Sequence, residues 1–339
     1  MNQNKTMIIA EAGVNHNGDL NLAKELIDAA DLAGADYVKF QTFISEECIT
    51  KDLRKADYQA ANTRDKENKE SQLEMVKKLE LSRADHQILI DYCKNKNVNF
   101  LSTAFDSKSV DLLEDYSIPF YKIASSELTN LPLLRKIGSL KKPVILSTGM
   151  ANIQEIQASI QILTESGLDR EKITLLHCNT EYPTPMNDVN LNAIQTIKNH
   201  FGLITGYSDH SLGIEVPIAA VALGAKIIEK HFTIDTNLEG PDHKASLTPL
   251  QLSEMVKGIR NIEKALGNGI KEATASEIRN IPVMRKSIVA RKNIIKGEIL
   301  SIENITIKRP GTGISPMRWD DVIGQEANKN YSPDELIEL

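Results

Sequence analysis

The chain reads as an α/β protein: a (β/α)8 TIM barrel followed by a small β-rich domain. Three observations predict this. Eight short apolar runs alternate with helix-like segments over residues 1–267. The runs end in polar residues, at the address where βα-repeat proteins collect their reactive side chains. After Gly267 the rhythm stops and short β-like pieces with turns take over. A doubly wound sheet would share the alternation but gives no reason for a count of eight.

Taken in order, the first predicted strand is Met7–Ala12, which runs into a turn-rich loop ending at Gly18. A helix follows, with Leu22, Leu26, Ala29 and Ala33 at helical spacing. Tyr37–Phe40 is the second strand, and the period of two puts Lys39 and Gln41 on one face. Residues 45–81 break the rhythm. They are charge-rich at TRDKENKESQ and long for a connection, so they predict a partly helical excursion over the barrel mouth. A helix over Arg83–Asn95 and a third strand over Val98–Thr103 restore the pattern. The helix Ser107–Asp115 and the strands Pro119–Ala124 and Pro143–Leu146 come next. Asn152, with Glu155 three residues on, forms a capping box for the following helix. The last three strands are Ile173–Leu176, Leu203–Tyr207 and Ala225–Glu229. Thr248, Pro249 and Gln251 start a final helix with the stripe Leu252, Met255, Ile259, Ile262 and Leu266, and Gly267 stops it. The barrel domain thus spans 1–267, a linker without apolar period 268–284, and the small domain 285–339.

Composition narrows the class. The 339 residues are 41% hydrophobic and 25% charged, ordinary for a globular protein. At a net charge of −6 no global field draws nucleic acid, so an anionic ligand must be held by local groups. Cys48, Cys93 and Cys178 are odd in number and form no CxxC pair, which suits reduced thiols in a cytosol. No apolar run is long enough for a signal peptide or a membrane span, so a cytoplasmic protein is expected.

The stretch from Leu203 to His243 concentrates chemistry. Two neighbouring strands end in Ser208-Asp209-His210 and Lys230-His231, with Asp242 and His243 close behind. Neutral imidazole is the commonest nitrogen ligand of divalent metals, so His210 and His231 can share one ion. A lone histidine is more often a satisfied core residue; repetition at two strand ends argues otherwise. Lys39 and Lys122 sit inside apolar strands, where an ammonium is almost never buried unpaired. Other strand ends add Glu11, Gln41, Thr103, Glu127, Ser147, Asn179, Thr180, Tyr182 and Ser208. Two ammonium groups with short donors suit a small molecule bearing phosphate and carboxylate, held beside a metal. No glycine-rich nucleotide loop is present.

The motifs IAEAGVNHNG, VKFQTF, STAFD, KIASSELTNLPLL, STGMA, HCNTEYPTP, GYSDHS, EKHFT and GPDHKASL together resemble the sialic acid synthase family. TASE, KGE and IKRPGTGISPM extend the resemblance through the C-terminal part, which looks like that family's antifreeze-like (β-clip) domain. Within the family the set looks nearest to the N-acetylneuraminate synthases, while synthases of legionaminic and pseudaminic acids share most of it. The resemblance implies condensation of phosphoenolpyruvate with an N-acetylated aminosugar aldehyde, N-acetylmannosamine first, and release of phosphate. It implies a divalent metal on His210 and His231, manganese before magnesium or cobalt. It implies phosphoenolpyruvate contacts at Lys39, Thr103, Lys122, Ser125, Ser147 and Ser208, and sugar contacts at Glu11, Gln41, Tyr182 and Asp242. Glu127 is implied in acid–base work, with Glu11 as the other candidate carboxylate. Either Asn179 or Thr180 meets the phosphate. Arg309 matches an arginine that the small domain inserts into the partner subunit's site, which implies a homodimer with exchanged C-terminal domains. The competing enzyme reading is a Schiff-base aldolase on Lys122 or Lys39. It predicts a borohydride-trapped adduct and activity that survives chelation.

Overall fold

The computed structural model describes residues 5–63 and 69–339 and divides into two compact units, Met1–Gly267 and Asn268–Leu339. In the first unit eight parallel strands close into a barrel in sequence order. They are β1 (Met7–Gly13), β2 (Tyr37–Thr42), β3 (Asn99–Ala104), β4 (Tyr121–Ile123), β5 (Val144–Ser147), β6 (Ile173–His177), β7 (Ile204–Asp209) and β8 (Ile227–His231). Closure pairs β8 with β1 and sets Glu11 opposite His231. Apart from β4, which is shorter than expected, the strands run one or two residues past the apolar runs. The reason is that the last ladder positions hold polar residues, which apolar patterning does not count as strand.

The period of two sorts side chains into layers. Ile9, Leu101, Ile145, Leu176 and Ile227 form one apolar cluster that fills the barrel interior. Two residues further along four of these strands stand Glu11, Thr103, Ser147 and Glu229. The alternate residues, among them Ile8, Val38, Phe40, Tyr207 and Ile228, pack outward with Leu26, Ile27, Leu252 and Met255 of the surrounding helices. A hydrophobic floor therefore underlies a polar layer at the C-terminal mouth.

Both predicted capping boxes form, Asn152 with Glu155 and Thr248 with Gln251. Leu252, Met255 and Ile259 of the final stripe are buried, but Leu266 is 51% exposed. It is the C-cap of that helix, and Gly267 turns the chain away at φ +59. The described residues of the excursion after β2 form three short helices, Ser45–Cys48, Asp57–Asn62 and Gln72–Lys77. Part of its charged run, 64–68, lies outside the described residues. The excursion is tied to the mouth: the Asn62 amide donates to the Pro241 carbonyl at 2.7 Å, and Phe43 and Leu79 bury with Val14.

The second unit has its own core of Ile288, Ile294, Leu300, Ile305, Val322, Tyr331 and Ile337. Its strands β9 (Ser287–Ala290) and β10 (Ile305–Lys308) pair antiparallel. The segment 268–284, expected as a linker, groups with this unit and holds the short helices Ala275–Ile278 and Ile281–Met284. Thr274 and Glu277 box the first of them, and Gly311 N donates to the Pro282 carbonyl at 2.7 Å. Helices of one turn are too short to write an apolar period into the sequence, so that pattern missed them. Among the described residues no helix is long and apolar enough to cross a membrane.

Candidate active site

A cavity of about 770 Å³ opens at the strand C-termini of the barrel. Of the strand-end residues named from the sequence, all line it except Asn179, Asp209 and Lys230; Ser125 and Asp242 line it as well, and Arg309 belongs to the second unit. Lys39 and Lys122 are the centre of the polar layer. The Lys39 ammonium lies 2.9 Å from Glu11 Oε2 and donates to Thr103 Oγ1 at 2.9 Å. The Lys122 ammonium donates to Ser147 Oγ at 2.7 Å. Between them stands Glu229, 3.5 Å from each ammonium, with Oε1 accepting from Ser208 Oγ at 2.9 Å.

Glu229 was not singled out from the sequence, although the signal was there. It precedes His231 by two residues, so the strand period puts both on the inner face. Its neighbour Lys230 points the other way and pairs with Asp209 at 2.6 Å behind the barrel wall.

The charges of this layer are tuned unequally. Burial drives the Glu11 carboxyl up to about 7, against the pull of Lys39, and nearby Glu229 adds to the rise. Burial would raise Glu229 too, but Lys122, Lys39 and the Ser208 hydroxyl outweigh it and hold Glu229 ionised. Lys122 is lowered by burial. Lys39 is raised despite burial, because Glu11 and Glu229 both face it. The result is one carboxyl poised near neutrality beside a carboxylate that stays charged.

His210 and His231 stand at the ends of β7 and β8 with ring centroids 5.5 Å apart. Burial lowers His210 to about 4 and takes His231 well below the ordinary imidazole value, so both rings are neutral at pH 7, the form in which imidazole can bind a metal. The Asn179 carbonyl accepts from His210 Nδ1, which fixes the tautomer and leaves Nε2 as the donor to a metal. His231 Nδ1 is buried without a hydrogen-bond partner, 4.0 Å from Asp242 Oδ2. An orphaned imidazole nitrogen beside a second neutral imidazole fits a divalent ion. Among the described residues no group of three or more His, Cys, Asp or Glu is arranged to hold a metal ion, so these two imidazoles are the candidate ligands. His243 takes no part. Its Nδ1 meets Thr233 Oγ1 at 2.7 Å and its Nε2 meets Asn17 Oδ1 at 3.2 Å, which makes it a satisfied loop histidine.

Other residues build the walls. Tyr182 stacks on His210 with centroids 4.1 Å apart, and Tyr58 from the excursion stacks on Tyr182 at 5.3 Å. Asp242 is pushed up to about 6 by burial. Gln41 Nε2 reaches Glu11 Oε1 at 3.4 Å. Ser125 Oγ accepts from Gly149 N at 3.0 Å. A Cβ on Gly149 would stand 2.8 Å from that Oγ and 2.7 Å from Thr180 Cγ2, so glycine is required for this close approach. Thr180 faces the cavity, whereas the Asn179 side chain accepts from Glu181 N at 2.7 Å in its own loop. Glu127 is half-buried and accepts from Asn130 Nδ2 at 2.7 Å. Glu11, the other candidate acid–base carboxyl, has its proton set near neutral pH.

Comparison with known proteins decides the family. The NeuB family matches residues 26–271 and the SAF domain matches residues 285–338. The chain belongs to the NeuB family. It is similar to the N,N'-diacetyllegionaminic acid synthase of Campylobacter jejuni, 56% identical over 98% of this chain and 99% of that one. The synthase of the same name from Legionella pneumophila is 44% identical over 96% and 91%. Among solved structures, the N-acetylneuraminic acid (sialic acid) synthetase of Leptospira borgpetersenii aligns with a TM-score of 0.72 at 39% identity, covering 82% of this chain and 90% of that one. The NeuB-family chain is therefore an enzyme of the nonulosonic acid synthase type, a TIM barrel with an antifreeze-like SAF domain.

Proposed function

We propose that this enzyme condenses phosphoenolpyruvate with an N-acetylated aminosugar aldehyde, forming a carbon–carbon bond and releasing phosphate. The observation that carries the reading is the pair of buried ammonium groups, Lys39 and Lys122, sharing Glu229 beside two neutral imidazoles in one cavity. The ammonium groups neutralise the carboxylate and phosphate of phosphoenolpyruvate, and Thr103, Ser147 and Ser208 orient them. Ser125 and Thr180 supply short donors at one corner. A divalent ion on His210 and His231, manganese first, would polarise the aldehyde oxygen as a Lewis acid. Glu11, with a carboxyl near 7, holds or takes the proton of the water that adds at C2 of phosphoenolpyruvate before the C–O bond to phosphate breaks. The sugar lies along Gln41, Tyr182 and Asp242.

The sequence motifs put N-acetylmannosamine first as the sugar. The 56% likeness to a legionaminic acid synthase makes the diacetamido precursor of that acid the better-supported substrate. Arg309 is exposed in the second unit, with its Nε donating to the Met284 carbonyl at 3.2 Å. It completes the reading as a donor to the partner subunit's sugar in a cytoplasmic homodimer.

The deciding assay is phosphate release from phosphoenolpyruvate with a panel of N-acetylated sugars, with and without EDTA. Sugar-dependent release that chelation abolishes and manganese restores is expected. Release that persists in EDTA, with a borohydride-trapped pyruvate adduct, would favour the Schiff-base aldolase instead. Mixing Arg309→Ala and His231→Ala chains should restore activity once subunits exchange, and failure to do so removes the shared site from the reading.

A further inference from the structure

The loop after β8, residues 232–247, brings Asp242 into the cavity with Pro241 beside it. The Asp242 carboxylate lies 4.0 Å from His231 Nδ1 and accepts no hydrogen bond among the described residues. With no side-chain partner to hold it, the carboxylate is aimed by its backbone. That backbone has little regular structure of its own. The loop closes at its base, where Thr233 N donates to the Leu247 carbonyl and Leu247 N to the His231 carbonyl, each at 2.9 Å. Beyond that it holds one short turn, His243–Ala245.

The rest of the loop is pinned by side chains from elsewhere. Two come from the loop after β1. Asn15 Nδ2 donates to the Phe232 carbonyl at 2.8 Å and to Ser246 Oγ at 2.9 Å. Ser246 Oγ donates in turn to the Asp242 carbonyl at 2.7 Å. Asn17 Nδ2 donates to the Glu239 carbonyl at 3.0 Å, which fixes the orientation of its amide. Asn17 Oδ1 therefore accepts from His243 Nε2 at 3.2 Å, and His243 Nδ1 accepts from the Thr233 hydroxyl at 2.7 Å. The excursion adds the bond from Asn62 to the Pro241 carbonyl. Asp242 is thus held on both sides, through Glu239 and Pro241 before it and His243 and Ser246 after it.

We propose that Asn15, Asn17 and His243 are positioning residues, a clasp from the β1 loop that aims the Asp242 carboxylate at the sugar. None of the three lines the cavity, so they act through Asp242 and not on substrate. His243 binds no metal in this scheme; its neutral ring is a link between Asn17 and Thr233. Lys39, Thr103, Lys122 and Ser147 stand on β2 to β5, away from this loop, so the clasp should bear on the sugar and spare phosphoenolpyruvate. The inference rests on the reading of Asp242 as a sugar contact.

The test is steady-state phosphate release with N-acetylmannosamine and with the diacetamido precursor, varying sugar and phosphoenolpyruvate separately. Asp242→Ala should raise KM for the sugar about 30-fold. His243→Ala and Asn17→Gly should each raise it about tenfold and leave KM for phosphoenolpyruvate unchanged. Asn17 has φ +50, so glycine removes its bonds without straining the turn, and this variant carries the test if His243→Ala does not fold. His243→Gln, whose Nε2 can reach Asn17 Oδ1, should recover most of the loss. The pair decides the route: added to Asp242→Ala, either clasp variant should change KM for the sugar less than about twofold, because the group it acts through is gone. Full additivity in the pair, or equal rises in KM for both substrates, overturns the clasp and leaves bonds that serve stability alone. A large effect of Asp242→Ala with none from His243→Ala or Asn17→Gly overturns the clasp and keeps the sugar contact. An unchanged KM for the sugar in Asp242→Ala overturns the contact, and the clasp with it.

Discussion

Strand β8 carries two buried lysine–carboxylate arrangements on its opposite faces, and they differ in completeness. Outside the barrel, Lys230 and Asp209 are both fully buried, 2.6 Å apart. Asp209 Oδ1 also accepts from Ser211 N at 3.0 Å and Oγ at 2.7 Å, and Lys230 donates to the Ser211 carbonyl. Each charge there has its partner and its hydrogen bonds. Inside the barrel, Lys39 and Lys122 share Glu229 at 3.5 Å from each, and Glu11 sits near neutrality against Lys39. Burial is nearly equal on the two faces, so burial alone does not mark a site. What marks it is that the inner charges are under-paired and face a cavity. The outer pair holds the strand ends, and the inner set is left to bind something anionic.

The sharpest way to break this contrast is to remove one lysine from each face. Lys230→Met leaves the Asp209 carboxyl buried without its counter-ion, which should lower stability by about 3–5 kcal/mol in urea titration. Lys39→Met leaves Glu229 facing Lys122 and lets Glu11 keep its proton, so stability should fall by less than about 2 kcal/mol. Its phosphate release should drop at least about 100-fold, with weakened phosphoenolpyruvate binding by titration. If Lys39→Met destabilises as much as Lys230→Met, the inner set is structural and the contrast collapses.

A pH series sharpens the inner half. The folded Glu11 carboxyl titrates near 7, above the ordinary carboxyl value of 4.5 that serves for the unfolded chain. Between these values the unfolded chain has released the proton that the folded chain still holds. Stability contributed by this group is therefore present below pH 4.5 and lost as pH rises to about 7, with a slope approaching roughly 1.4 kcal/mol per pH unit. Glu11→Gln should remove that part of the slope, as read from urea midpoints across the window. An identical slope in the variant would place the proton elsewhere.

Much of this was legible from residue order because two simple periods govern it. Alternating apolar runs gave the eight strands, and polar residues at their ends gave most of the cavity lining. Lys39 and Lys122 stood out because they interrupt apolar strands. Glu229 did not, since a carboxylate at the end of a strand looks like a solvated boundary until the neighbouring strands bring lysines to it. His243 looked like a metal-site companion by proximity in sequence, but loop geometry bonds it to Thr233 and Asn17. The apolar wall from the excursion was invisible for the same reason. Met75 and Val76 sit in a helix too short to show amphipathic spacing, Leu79 lies just past its end, and only the fold turns all three toward the cavity.

The smallest effect expected concerns two adjacent residues that repeat the inside–outside contrast at the end of β6. The sequence left open whether Asn179 or Thr180 meets the phosphate. In the structure Thr180 lines the cavity beside Ser125 and Gly149, while the Asn179 side chain holds its own loop through Glu181 N at 2.7 Å. Thr180→Val keeps the shape and removes the hydroxyl. It should raise KM for phosphoenolpyruvate about fivefold, the loss of one hydrogen bond, and leave the thermal midpoint in place. Asn179→Ala removes a loop bond instead and should cost about 1 kcal/mol of stability with a much smaller change in KM. The Asn179 carbonyl still fixes His210 in that variant, because the bond is made by backbone. Should Asn179→Ala raise KM while Thr180→Val leaves it unchanged, the loop turns over when the anion binds, and the side chain facing inward here is not the one that meets the phosphate.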